Sequence, residues 1–342
     1  METANGKRTI NVGLVGYGYW GPNLARNFSA QPGCRLSAIC ELDPDRAALA
    51  GRMFPGTRIL ADYEIMLADP QLEAVLVATP VGSHYELVRR ALLAGKDVLV
   101  EKPLTQTSAQ AAELVALAEE RGRVLAVDHT FLFTGAVRKI KELSDAGDLG
   151  ELLYFDSVRV NLGLFQQDVN VVFDLAPHDL AILHHLVGRS PSNVRAVGLC
   201  HGGGVHECVA YLHLEYEGGF MAHFHFSWLA PVKIRKTILA GTRKMVVYDD
   251  MEITEKVKIY DKGVEVKNRE SVYQLLVSYR SGDMWAPKVE QIEALKQETQ
   301  YFLDCISSGK APVNDGLSGL RVVKMLEACN RSLKEHGRLI YL

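Results

Sequence analysis

The chain divides by the period of its apolar positions. Between Ile10 and His129, short apolar runs alternate with amphipathic stretches. The runs are Ile10–Val15, "RLSAIC", "EAVLVATP", "DVLVEKP" and "VLAVDH". They are nearly unbroken, as strands buried on both faces are. Between them lie a helix with Leu24, Ala25 and Phe28 on one face, then "DPDRAALAGRM", "SHYELVRRALLAG" and "TSAQAAELVALAEERG". The last is predicted to be capped by Thr107 or Ser108 and closed by Gly122. Strands alternating with helices predict an α/β, doubly wound parallel sheet.

From about Ala126 the pattern changes. "ELLYFDSVRVNLG" reads as a strand, "LFQQDVNVV" as a loop, and a helix is predicted to begin near Asp174. After Gly188 come the strands "SNVRAVGLC", "ECVAYLHLEY", "GFMAHFHFSW", "KIRKTILAG" and "KMVVYDD", with a hairpin turn at Glu217-Gly218-Gly219. Ala222, Phe224, Phe226 and Trp228 share one face of their strand; Met221, His223, His225 and Ser227 share the other. Antiparallel sheets can pack one face on helices and leave the other free. The period change and the length of 342 residues suit two domains, placed at 1–127 and 128–342.

Charge and cysteine usage narrow the class. A net charge of −3 gives no pull toward nucleic acid or an anionic membrane. Lys233, Arg235, Lys236, Arg243 and Lys244 form the densest basic patch, read as a solvated sheet edge or as a contact to an anionic substrate. The N-terminus lacks the apolar core of a signal peptide, and no apolar run is long enough to span a bilayer. Six Cys occur without a CxxC pair, so buried thiols in a reducing cytoplasm are expected.

The chemistry begins at Gly16-Tyr-Gly18-Tyr19-Trp20-Gly21, a G-x-G-x-x-G between a strand and a helix. The first Gly permits the tight turn, the second lets backbone approach a pyrophosphate, and the third lets helix and strand pack closely. The helix N-terminus offers free N–H groups to the phosphates. Glu41 ends the next strand, twenty residues past Gly21, where a carboxylate accepts the ribose hydroxyls and repels a 2′-phosphate. NAD is therefore expected over NADP, unless Glu41 or Asp43 only starts the next helix. Ligands of such sheets lie at the strands' carboxyl ends. Those ends add Thr79, Pro80, His84, Glu101, Lys102 and His129 to the expected cofactor set. Pro103 forces Lys102 into an extended conformation, which aims an ammonium group into the same crevice.

Asp174 and His178 lie four residues apart, on one face of a helix. Pro177 is tolerable within a first turn, so the pair is expected to mark the helix N-terminus. As a cap, Asp174 would suffice. As chemistry, His178 takes a hydroxyl proton and Asp174 orients its ring. The stretch alone leaves both readings open. His184 and His185 read as structural. His213, His223 and His225 line one face across the hairpin; without a matching carboxylate or Cys pattern, no metal is expected there.

"GYGYWG", "EKP" and "DLAPHD", in this order and spacing, resemble the Gfo/Idh/MocA oxidoreductases, and the resemblance covers nearly the whole chain. It implies a Rossmann domain followed by an open, mostly antiparallel α+β sheet domain, whose free face often meets a second subunit as a homodimer or homotetramer. It also implies that Lys102, Asp174 and His178 handle the proton while nicotinamide takes the hydride. "VNLGLFQQDVNVVFD" looks like the branch acting on nucleotide-linked sugars at the C3 hydroxyl, which would turn Arg159 and Asn161 toward substrate. A dehydrogenase of a free sugar or cyclitol is the alternative, with a non-catalytic NAD sensor behind it.

Overall fold

Strands β1 (Ile10–Val15), β2 (Cys34–Cys40), β3 (Arg58–Leu60), β4 (Ala74–Val77), β5 (Asp97–Glu101) and β6 (Leu125–Asp128) form one sheet in the order β3-β2-β1-β4-β5-β6. Its pairings are parallel throughout. Helices α1 (Gly21–Ser29), α2 (Pro44–Met53), α3 (Tyr63–Leu67), α4 (His84–Leu93) and α5 (Ser108–Arg121) connect the strands. Burial on both faces explains the unbroken apolar runs: Val75 and Val77 enter one core cluster, Ala74 and Leu76 the other. Thr107 caps α5 through Gln110 N–H, and left-handed Gly122 closes it, as the sequence predicts. The computed structural model describes residues 8–163, 169–201, 205–266, 277–280 and 282–342. The expected loop over 164–172 lies partly outside them.

The second sheet gathers around β7 (Leu152–Leu162), which follows α6 (Gly135–Asp145) and precedes α7 (Val171–Val187). Next come β8 (Asn193–Leu199), β9 (Val209–Glu215), β10 (Met221–Ser227), β11 (Leu229–Gly241), β12 (Met245–Asp249) and β13 (Val257–Tyr260). The hairpin of β14 (Gly263–Val266) and β15 (Val277–Arg280) stands apart, and β16 (Met284–Trp285) follows. Helix α8 (Ala294–Ser308), helix α9 (Gly316–Lys334) and β17 (Ile340–Tyr341) end the chain. The sheet runs β16-β13-β12-β11-β7-β10-β9-β8-β17. It is antiparallel apart from the parallel β7–β10 pair. Alternation is real here: Ala222, Phe224 and Phe226 are buried, while Met221 is exposed. Gly218 and Gly219 take positive φ at the predicted hairpin turn.

Three expectations need correction. The units are not the contiguous blocks 1–127 and 128–342. Unit 1 is Met1–Phe133 with Ile292–Lys324, and unit 2 is Thr134–Gln291 with Met325–Leu342. The cause is α8, whose Leu295, Phe302 and Leu303 join the core beside Leu24 and Phe28. Phe28 and Phe302 meet edge to face at 6.2 Å. Second, the basic patch is not on a sheet edge. Strand β11 lies between β12 and β7, and Arg235 and Lys236 pair with Asp250 and Asp249 at 3.4 and 3.2 Å. Third, α7 starts three residues before Asp174. Asn170 is its cap, accepting Phe173 N–H at 3.1 Å. Pro177 thus lies inside the helix, where it removes one backbone donor. Burial of Val171, Val172 and Phe173 rewards the extra turn.

Candidate active site

In unit 1 the glycine turn is built as its spacing demands. Gly16 has φ +92°, and a Cβ there would lie 2.6 Å from Ala78 O. A Cβ on Gly21 would lie 2.4 Å from Gly16 O, so α1 can start this close to β1 only without a side chain. A Cβ on Gly18 would meet nothing nearer than Arg46 Nη1 at 3.5 Å, which suits the position where backbone receives a pyrophosphate. Glu41 accepts Tyr17 N–H at 2.6 Å and Asp43 N–H at 2.9 Å. Asp43, by contrast, caps α2 through Asp45 and Arg46 N–H. The two acids therefore divide the roles left open by the sequence: Asp43 starts the helix, and Glu41 is fixed against the glycine turn. Tyr19 is exposed and Trp20 half-buried. These residues fit an NAD molecule: a turn where side chains would clash, a helix N-terminus and the Glu41 carboxylate held beside them.

The other strand ends divide into surface and support. Thr79 is half-buried and Pro80 exposed. His84 is buried, and its ring nitrogens lie 2.8 Å from Thr79 O and 2.9 Å from Pro103 O. It ties the turn after β4 to the turn after β5, so its expected place in the cofactor set becomes that of a brace. Burial lowers its pKa against the opposing pull of those carbonyls. Lys102 is half-buried directly after β5, and its peptide bond to Pro103 is cis. His129 is also buried.

Beside Lys102 lies a cluster of acids of which the sequence marks only Glu101, as a cofactor residue; Asp128 and Glu298 complete it. Glu101 and Asp128 are register partners at the ends of β5 and β6. Asp128, 2% exposed, accepts Trp20 Nε1–H at 3.0 Å and also the Thr130 hydroxyl. Glu298 comes to the same place from α8. Its Oε1 accepts Asn314 Nδ2–H at 2.9 Å, and Asn314 also donates to Val127 O at 2.7 Å. Burial, then the Asp128 charge, raises the Glu101 and Glu298 pKa values well above the usual carboxyl range.

In unit 2, Asp174 and His178 share one face of α7 with one turn between them, and both are half-buried. Asp174 accepts Trp228 Nε1–H at 3.0 Å. Trp228 is buried and directly follows β10. This bond, invisible in the local sequence, fixes the carboxylate from another element. Arg159 is corrected from a substrate contact to an internal cation. It is 5% exposed and donates to Asp179, which also accepts Ser157 Oγ–H at 2.8 Å. Asn161, half-buried, follows on the same strand. Burial lowers the His185 pKa to about 4, with the Lys141 charge adding to it. His223 stands opposite His213 and lies 3.1 Å from Asp156, while His225 stacks on Tyr211 at 4.5 Å. Among the described residues no group of His, Cys, Asp and Glu is arranged to hold a metal ion, and no helix is long and apolar enough to cross a membrane.

Known proteins match both units. The profile of the oxidoreductase family with an NAD-binding Rossmann fold, GFO_IDH_MocA, matches residues 10–129. The profile of the GFO/IDH/MocA C-terminal domain matches residues 137–247. The UDP-N-acetylglucosamine 3-dehydrogenase of Acidithiobacillus ferrooxidans is 27% identical over 92% of this chain and 94% of its own. The scyllo-inositol 2-dehydrogenase (NADP(+)) of Bacillus subtilis is 26% identical over 96% of this chain and 94% of its own. GenD2 from gentamicin A biosynthesis, solved in complex with NAD, superposes with a TM-score of 0.82 over 100% of this chain and 98% of its own, at 24% identity.

Proposed function

Since this chain belongs to the Gfo/Idh/MocA oxidoreductases and is an NAD-dependent dehydrogenase, we propose that it oxidises a sugar secondary alcohol, the C3 hydroxyl of a nucleotide-linked sugar. The observation that carries this reading is the Trp228–Asp174 bond with His178 one turn further along α7. An acid held by a buried indole orients a neighbouring imidazole, which then serves as general base. His178 takes the hydroxyl proton. Lys102, at the end of β5, hydrogen-bonds the same oxygen and stabilises its developing negative charge. Asp174 steadies the imidazolium. Nicotinamide, when bound along Gly16–Gly21 and Glu41, supplies the hydride acceptor. The reverse reaction uses the same groups as acids.

Two observations support a nucleotide-linked substrate: the stretch "VNLGLFQQDVNVVFD" and similarity to a UDP-N-acetylglucosamine 3-dehydrogenase along 92% of the chain. Similarity to an inositol dehydrogenase over 96% of the chain favours a second reading, a free cyclitol or sugar. The test is NADH formation with UDP- and dTDP-linked hexoses, their N-acetyl and uronic forms, free sugars and cyclitols. One arm is coupled to an aminotransferase to draw off the ketone. Turnover confined to nucleotide sugars is expected; turnover confined to free polyols selects the second reading. Copies are read as associating through the sheet face that carries Val197, Tyr211 and Met221, all more than 40% exposed.

A further inference from the structure

We propose that Glu101 and Glu298 each carry a proton that they donate to Asp128, and that Asp128 and Glu298 are thereby positioning residues for the glycine turn of the cofactor site. Trp20, inside the Gly16–Gly21 turn, directly precedes α1, and its indole is held by Asp128 Oδ2 at 3.0 Å. Asp128 Oδ1 takes the Thr130 hydroxyl. Around this acceptor stand the carboxyl of its register partner Glu101 and that of Glu298. Glu298 Oε1 is satisfied by Asn314, and Glu101 Oε2 by Lys102 N–H at 3.2 Å. Glu298 Oε2 and Glu101 Oε1 are buried and, among the described residues, no N–H or O–H meets them in hydrogen-bonding geometry.

Two carboxylate oxygens cannot hydrogen-bond unless one carries a proton, and an unpaired buried acceptor is costly. One proton on each glutamate resolves both oxygens. The three acids then hold two protons and a single negative charge, which sits on Asp128 among four donors. The cationic and hydroxyl groups facing the cluster, Lys102 toward Glu101 and Thr130 toward Glu298, favour ionisation. Burial and the Asp128 charge act the other way and are the larger causes. The network reaches the cofactor turn from helix α8, far along the chain from Trp20. It concerns only how unit 1 holds NAD, so it stands or falls separately from the sugar and from His178.

The sign of the pH dependence follows. Both glutamates are raised above their unfolded pKa, so the stabilisation is complete below the ordinary carboxyl range and is lost as pH rises through the raised values. The experiment pairs infrared titration of the apoprotein with NADH binding by fluorescence, in the wild type, Glu298→Gln, Glu298→Ala and Trp20→Phe. At neutral pH the wild type should show a protonated carboxyl band that Glu298→Gln reduces by about half. Gln keeps the donor, so its NADH Kd should stay within about 2-fold, whereas Glu298→Ala and Trp20→Phe should weaken NADH about 10-fold. The wild-type Kd should also rise toward alkaline pH, less steeply in Glu298→Gln. Absence of the band in the wild type, or a Gln variant as weak as the Ala variant, overturns the proposal. If Glu298→Ala does not fold, the band and the Gln variant decide it alone.

Discussion

Each unit uses one indole to hold one aspartate, and the two aspartates sit in opposite surroundings. Trp20 donates to Asp128 in unit 1, and Trp228 donates to Asp174 in unit 2, both at 3.0 Å. Asp128 is sealed among two further acids. Asp174 is half-buried in the first turn of α7, where the helix end itself favours negative charge. The difference teaches that a hydrogen bond sets where a carboxylate points, while its neighbours set where protons reside. Crowded acids share protons; an acid held at a helix start can orient a base.

The sharpest way to break this comparison is at the proton-handling groups. Lys102→Met and His178→Ala are each expected to lower kcat by about 10²–10⁴-fold, with NADH affinity of His178→Ala unchanged by fluorescence titration. Wild-type turnover in either variant would end its assigned role. A comparable free energy, spent on folding instead, is expected of Arg159→Met. It leaves the buried Asp179 carboxylate without its cation, which costs about 3–5 kcal/mol. Urea unfolding checks this, and a lost KM for substrate with full stability would return Arg159 to the substrate surface. The smallest effect is expected of Trp228→Phe, which keeps the ring and deletes the donor. About a 10-fold fall in kcat should come with a shifted acid limb of the pH–rate profile and little change in KM. An unshifted profile would reduce Trp228 to packing.

What the sequence disclosed follows from the range of the forces involved. Ile10–Val15 and the runs after it are legible because a strand buried on both faces needs every position apolar. Gly16, Gly18 and Gly21 are legible because backbone clearance is a local demand, now seen in the 2.4 Å approach of a Cβ on Gly21 to Gly16 O. Lys102, Asp174 and His178 stand out through family order and helical spacing, and their roles are a proposal. Arg159 was misplaced because strand periodicity gives a face but not the partner across it; Asp179 lies on α7. The start of α7 was misjudged by weighing Pro177 above the buried Val171–Phe173 face. Glu298 and Asn314 carry no local mark, since their meaning depends on Asp128 and Val127, far back in the chain.

The return of α8 also has a consequence for synthesis. Unit 1 begins at the N-terminus, yet the apolar surface of Leu24 and Phe28 is covered by Leu295, Phe302 and Leu303. All of residues 134–291 must leave the ribosome before that cover exists. The cofactor unit is thus started before the other and cannot be finished until most of the other has been made. A chain cut after Phe133 would leave the ribosome with an open apolar flank, the kind of surface that draws chaperones or aggregates.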